Sequence, residues 1–310
     1  MLTSIWNDLK RQYDYGNMVT KLILVNVVVF VLVNLVKFFL FIGNGGAPSP
    51  LFDTILHWFC VSSDLSYLIT HPWGIFTSTI LHEGFWHILW NMLFLWWFGR
   101  VVSDLIGNHR ILPLYLLGGL VGAIAFILSA NLMQYGIGGR FALGASGAVT
   151  AIAVAAATLA PDYIFRLIFL GDVKLKYIVA VMLFLDIIAI ADDINTGGHF
   201  AHLGGAFFGW FFVYQLQNGV DMSAPVNRLL NGIQEFFINI YNSLTGKGSN
   251  LKVAYKNPKK GKSNKGNASS DSKGPSHQEQ LDAILDKIKD KGYDSLSASE
   301  KEFLFNASKK

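Results

Sequence analysis

Charged residues and cysteines are scarce in this sequence, and that scarcity excludes several classes of protein. Only 15% of the 310 residues are charged, whereas soluble domains carry about a quarter. The single cysteine, Cys60, cannot form a disulfide within the chain, and no cysteine cluster indicates a metal site. Lysine and arginine lie mostly in the last third. This distribution predicts a membrane domain followed by a basic tail near an anionic lipid surface, with no indication of nucleic-acid binding.

Six apolar segments could cross a bilayer, which takes about twenty helical residues. They are residues 19–42, 85–106, 111–132, 146–160, 173–190 and 199–217. The first is too long for the apolar part of a signal peptide. The fourth would cover only about 22 Å, so we expect it to begin below the membrane surface, beside a polar cavity. These segments predict an all-α membrane protein with six transmembrane helices.

Basic residues indicate how these helices are oriented. They flank the start of the first span, lie between spans two and three and between spans four and five, and are abundant after span six. This bias predicts that both termini are cytoplasmic and that spans two, four and six run from outside to inside. Short loops favour a bacterial inner membrane, with an organelle membrane as the alternative.

The same patterns divide the chain into four regions. They are a cytoplasmic N-terminal tail (1–18), a six-helix domain (19–217), an interfacial helix followed by a flexible basic linker (218–277) and a small cytoplasmic helical hairpin (278–310). Ser297 and Glu300 form a capping box at the second helix of the hairpin. The hairpin is either a module for an unknown partner or a solvated tail, and the sequence leaves both open.

Polar side chains occur at three places where lipid should exclude them, which makes them functional candidates. In span two, His87 and Asn91 are four residues apart and share a helix face, and His82 precedes them. Taken alone, His82 is better explained as a residue that caps the helix or bonds loop carbonyls.

The second and third places are the starts of spans four and six. Ser146 lies in the sequence Gly-Ala-Ser-Gly at residues 144–147, where a helix N-terminus favours a developing negative charge. His202 lies about five residues into span six, in the same stretch as Gly205 and Gly209, whose spacing permits close helix contact. Taken alone, the first segment could be a helix-packing site, and the histidine of the second could simply bond a neighbouring carbonyl.

The combination of the three places is more specific than any one of them. Spans two, four and six are predicted to be parallel, and each carries its polar group near its outer end. Ser146, His202 and the His87/Asn91 pair are therefore expected to meet at one depth, as a nucleophile and its base must.

These segments resemble the rhomboid protease family over roughly residues 19–217. The family's GxSG motif matches residues 144–147, and its Ala-His motif matches Ala201-His202 with Gly205 and Gly209. The matching residues of the second span and the preceding loop are His82, His87, Asn91 and Trp73.

The resemblance implies a six-helix intramembrane serine endopeptidase that cleaves transmembrane substrates near their outer ends, without a cofactor. Ser146 would be the nucleophile and His202 the base, with no carboxylate as a third member. His87, Asn91 and the Ser146 amide would bind the oxyanion, and His82, Gly144, Gly147, Gly205 and Gly209 would support the site. The alternative function is an inactive rhomboid-like scaffold that binds transmembrane segments.

Three positions depart from the family's pattern. Gly74 replaces an arginine that often follows the loop tryptophan, and Ser103 replaces a glutamate at the cytoplasmic end of span two. Thr150 stands where an aromatic residue often supports the histidine ring. These departures concern the loop structure and the positioning of His202.

Two other classes of intramembrane protease fit less well. A zinc protease needs two histidines four apart, whereas His82 and His87 are five apart. His199 and His202 could share a metal, but no carboxylate partner is expected at their depth. An aspartyl protease would need two facing aspartates, and Asp172 and Asp186 are expected at different depths. Asp186 is predicted to be a buried acid that packs between helices and has a hydrogen-bond partner. No metal site is therefore expected.

Overall fold

A computed structural model describes residues 7, 10–14, 16–133, 140–167, 171–192, 195–245, 277–291 and 293–307. The chain forms two compact units, Met1–Gly248 and Ser249–Lys310. Residues 246–276, which fall in the region predicted as interfacial helix and linker (218–277), lie outside the described residues.

The first unit is mostly helical. Its helices are α1 (Met18–Gly43), α2 (Pro50–His57), α3 (Leu65–Thr70), α4 (Gly74–Thr77), α5 (Phe85–Ile106), α6 (Ile111–Leu132), α7 (Ser146–Leu159), α8 (Leu175–Ala191), α9 (Thr196–Gln217) and α10 (Ser223–Thr245). Short 3₁₀ turns occupy Ser78–Ile80 and Asn108–Arg110. Each apolar segment of the sequence therefore contains a helix. Among the described residues, two helical segments, Met18–Gly43 and Asn108–Leu132, are long and apolar enough to cross a membrane by themselves, and Ser146–Leu159 is apolar but shorter.

Within the residues that the structure describes, four short strands are present that an all-α prediction does not include. Strand β1 (Val61–Ser62) pairs antiparallel with β2 (Phe141–Ala142), and β3 (Ile164–Leu167) pairs antiparallel with β4 (Gly171–Lys174). The expected fifth span is therefore wrong at its start, because residues 173 and 174 belong to β4. Asp162 accepts hydrogen bonds from Lys174 and Lys176, which ties this hairpin to the first turn of α8.

Helix α7 forms the centre of the first unit. All ten of its residues from 147 to 156 are buried, and it packs against α5, α6, α8 and α9. Most of these residues are alanine, glycine or valine, whose small size lets four neighbouring helices approach closely. A central helix with little side-chain volume places backbone, rather than long side chains, next to its neighbours.

Two glycines of α9 make the closest of these approaches possible. A Cβ atom at Gly205 would overlap the carbonyl oxygen of Gly147, and one at Gly209 would overlap the carbonyl oxygen of Ala151. Helices α7 and α9 therefore touch backbone to backbone along one turn. This contact puts the start of α7 beside the first turns of α9.

The second unit contains α11 (His277–Lys291), a 3₁₀ turn (Tyr293–Ser295) and α12 (Ala298–Ala307). The predicted capping box is present. The backbone N–H of Ser297 donates to Glu300 Oε2 (2.7 Å), and the N–H of Glu300 donates to Ser297 Oγ (3.4 Å). Lys287 Nζ lies 2.8 Å from Glu300 Oε2, which links the two helices.

We expect Gly205→Ala to lower the free energy of unfolding by about 1–3 kcal/mol, the usual cost of overpacking a tight contact. Gly232→Ala in α10 is the matched control, because a Cβ there has no neighbour within 4 Å and alanine is the better helix former. Unfolding in mixed micelles of mild detergent and dodecyl sulfate measures both. Equal stability of the two variants would contradict the backbone contact.

The hydrogen bond from Lys287, with those from Ser297, holds the pKa of Glu300 at about 2, below its usual value of 4.5. A lowered folded-state pKa stabilises α11 and α12 above pH 4.5, and this stabilisation is lost as the pH falls towards 2. Glu300→Gln should therefore speed hydrogen exchange in these helices at pH 7, and its difference from wild type should shrink below pH 4. Glu302→Gln, an exposed neighbour, is the control. An unchanged exchange rate at pH 7 would show that the bond does not stabilise the hairpin.

Candidate active site

The four residues with predicted chemical roles line one open cavity of about 1000 Å³. Ser146 comes from α7, His202 from α9, and His87 and Asn91 from α5. In the part of the chain that the structure describes, no hydrogen bond joins the side chains of Ser146 and His202. Such bonds are often long in free enzymes and shorten when substrate binds.

Ser146 is the first residue of α7, so its amide is among the N–H groups that have no partner inside the helix. The residue two positions earlier, Gly144, has φ of +129°, a conformation that L side chains rarely adopt. A Cβ there would lie 2.7 Å from His87 Nε2 and 3.8 Å from Ser146 Oγ. The missing side chain thus leaves room for the His87 ring near the serine.

His82 holds the turn that precedes this helix. It is fully buried, and its Nε2 accepts a hydrogen bond from the backbone N–H of Ala145 (3.3 Å). The expectation that His82 caps its own helix or bonds loop carbonyls is corrected in this respect, since the partner is an amide of the segment that leads to Ser146. The sequence could not identify that partner because it lies 63 residues away.

Asn91 lies one turn below His87, with both on the cavity side of α5. One N–H of its amide donates to the His87 carbonyl oxygen (2.8 Å). A side-chain amide carries two N–H donors, so the second can reach a ligand in the cavity.

His202 has a carboxylate partner, contrary to the sequence-based expectation. Asp186 Oδ1 lies 2.8 Å from His202 Nδ1 and 2.6 Å from His199 Nδ1. The expectation of a hydrogen-bond partner for Asp186 is confirmed, but the expected lack of a carboxylate at this depth is wrong. Helix α8 ends at residue 191 and α9 begins at residue 196, so only a short connection joins them. A residue of α8 therefore faces the residue of α9 that is about equally far from this connection. Counting from that connection would have found the pair.

These three side chains could in principle hold a metal, because one ligand atom from each lies within 4.8 Å of the others. Ligands of a tetrahedral zinc ion, each about 2.0–2.1 Å from the metal, are separated by about 3.3 Å. The observed N···O distances of 2.6 and 2.8 Å are those of direct hydrogen bonds. The arrangement therefore fits proton transfer better than metal binding.

The departures from the expected motif have structural consequences. Thr150 lines the cavity, and the ring that contacts His202 edge to face is His199, with centroids 5.4 Å apart.

At Gly74 a Cβ would overlap the carbonyl oxygen of Cys60, so this position has no room for a larger side chain. Ser103 contributes its carbonyl oxygen to the end of α5, where it accepts from the Gly107 N–H. Asp172 is paired with Arg166 on the exposed hairpin, away from Asp186.

Comparison with known proteins decides the family. The Rhomboid domain profile matches residues 70–218, which include all four cavity residues named above. This chain contains a rhomboid domain. Rhomboid proteins are integral membrane proteins and generally serine proteases that act within the membrane. Residues 272–310 match a family of unknown function, DUF6576.

The curated relatives include proteins from mitochondria and from a bacterium. The presenilin-associated rhomboid-like protein of Bos taurus, which is mitochondrial, is 29% identical over 217 residues, or 67% of this chain and 50% of that protein. The rhomboid protease GluP of Bacillus subtilis is 28% identical over 181 residues, or 58% of this chain and 33% of that protein. This rhomboid chain thus matches half or less of the length of these two relatives.

We expect Gly144→Ala to slow the labelling of Ser146 by a fluorophosphonate probe at least tenfold, because the new Cβ strains the backbone and displaces His87. Gly171→Ala is the matched control. That glycine also has a positive φ (+71°), but no atom lies within 4 Å of its Cβ position. Equal labelling of Gly144→Ala and wild type would show that His87 does not depend on this glycine.

Proposed function

We propose that this rhomboid protein is an intramembrane serine endopeptidase in which Ser146 is the nucleophile and His202 is the general base. The observation that carries the proposal is the shared cavity. It is lined by a serine at a helix N-terminus, a histidine from a second helix and two hydrogen-bond donors from a third. The related protein GluP is a rhomboid protease, which supports the same reaction class.

The reaction proceeds in two halves. His202 takes the Ser146 proton as Oγ attacks the scissile carbonyl, and the oxyanion accepts hydrogen bonds from the Ser146 amide, His87 and Asn91. The C–N bond then breaks, His202 protonates the leaving amine, and an acyl-enzyme remains. Water from the open cavity, deprotonated by His202, hydrolyses the ester and restores the serine.

The substrate is the outer end of a transmembrane helix, in line with the rhomboid family's action on transmembrane substrates. An intact helix keeps its carbonyls in backbone hydrogen bonds, so the cleaved segment must unwind before it can reach Ser146. Helix-destabilising and small residues are therefore expected around the cleaved bond.

We further propose that α1, α5, α6, α7, α8 and α9 all cross the membrane, with both termini on the cytoplasmic side. Large apolar side chains of α8, such as Val181, Phe184 and Ile187, are more than half exposed, which fits contact with lipid. Helix α7 is shorter than a full span, in keeping with a start below the surface beside the cavity. The relatives come from mitochondria and from Bacillus, so they do not favour a bacterial inner membrane over an organelle membrane.

An inactive scaffold is the competing function, and the lack of a hydrogen bond between Ser146 and His202 is the observation that fits it. The two functions differ in one measurable property. A scaffold would bind transmembrane segments without forming an acyl-enzyme, so Ser146 would not react with a fluorophosphonate.

In vesicles with a model transmembrane substrate, wild type should cleave, whereas Ser146→Ala and His202→Ala should lose all cleavage above background. Loss of one oxyanion donor in Asn91→Ala should reduce kcat roughly 10²–10³-fold. Asn34→Ala is the matched control, because Asn34 makes the same bond to the carbonyl four residues before it (2.9 Å) but lies on α1. Cleavage that persists in Ser146→Ala would refute the assigned nucleophile.

A further inference from the structure

We propose that Asp186 is a positioning residue that orients His202, so that this protein works with a serine, a histidine and a carboxylate. The proposal rests on the proposed function, since it assigns a role in the same reaction. It departs from the two-residue mechanism that the resemblance implies.

The hydrogen-bond geometry sets the tautomer of His202. An ionised carboxylate can only accept hydrogen bonds, so His202 Nδ1, 2.8 Å from Asp186 Oδ1, must carry a proton. In the neutral ring the other nitrogen, Nε2, is then left unprotonated. An unprotonated Nε2 is the form that can take the proton of Ser146.

The carboxylate also compensates the charge that develops during the reaction. When His202 accepts the serine proton it becomes an imidazolium, and the side chain of Asp186 is only 11% exposed. The carboxylate and the imidazolium attract each other as opposite charges, and this attraction is stronger where water is excluded. Asp186 therefore stabilises His202 more in its protonated state than in its neutral state.

His199 holds the carboxylate from its other side. Its Nδ1 lies 2.6 Å from the same oxygen, and a carboxylate oxygen has two lone pairs, enough for both histidines. His199 also contacts the edge of the His202 ring. At residue 150, where an aromatic ring could support His202, the chain has Thr150. The Asp186–His199 pair thus supplies the support that a threonine cannot.

Asp186→Asn, which keeps the size of the side chain, tests this role. We expect kcat for the transmembrane substrate to fall roughly tenfold to a hundredfold, the equivalent of one charged hydrogen bond, with KM and the unfolding temperature unchanged. Asp172→Asn is the matched control, because it makes the same chemical change in an exposed ion pair with Arg166 and should leave kcat at the wild-type value. Wild-type kcat in Asp186→Asn, or a loss of kcat only in proportion to a loss of folded protein, would overturn the proposal.

A second measurement does not depend on proteolysis. In the Ser146→Ala background, ¹⁵N spectra of labelled histidine, assigned with His202→Ala, should show His202 protonated at Nδ1. The added Asp186→Asn change should shift this ring towards the other tautomer. If His202 is already protonated at Nε2 with Asp186 present, the proposal is overturned even if the protein proves to be a protease. If Nδ1 carries the proton but the wild-type protein does not cleave the substrate, the proposed function is wrong. The hydrogen bond between Asp186 and His202 is then still supported.

Discussion

The backbone contact between α7 and α9 is the constraint on which the site depends. Glycines at 205 and 209 let α9 approach the carbonyl groups of Gly147 and Ala151 more closely than any side chain would allow. Ser146 and His202 each lie next to this contact in sequence, so the two helices cannot close without bringing those residues to the same cavity. In lipid, where there is little hydrophobic drive for helices to associate, close packing of small residues is what holds such a pair together.

The remaining parts of the site are oriented by short-range contacts around that pair. His82 accepts from the Ala145 amide, which holds the turn before α7, and Gly144 leaves room for the His87 ring. The short connection between α8 and α9 brings Asp186 level with both histidines of α9. His87, Asp186 and both histidines of α9 thus each have a partner or the open cavity beside them, as burial in an apolar surrounding requires.

Much of this arrangement could be predicted from the sequence, because its signals are local. The apolar segments at 85–106 and 111–132 coincide with α5 and α6, and the spacing of His87 and Asn91 correctly indicated one helix face. The carboxylate partner of His202 does not follow from the depth of each span taken separately, because the α8–α9 connection determines which residues of the two helices face each other. The short strands β1 and β2 were missed because two-residue pairings between distant segments leave no periodic signal. The close contact between Gly74 and the carbonyl of Cys60 likewise joins residues that are distant in sequence, so no local pattern predicts it.

The central claim is that one open cavity brings together a reactive serine, its base and the hydrogen-bond donors for the oxyanion. An experimental structure of the protein after reaction with a fluorophosphonate tests it most directly. The account predicts phosphorus bonded to Ser146 Oγ, the phosphoryl oxygen within hydrogen-bond distance of Asn91 or His87, and His202 beside the adduct with Nδ1 on Asp186. An adduct on another residue, or packed side chains between Ser146 and His202, would contradict it.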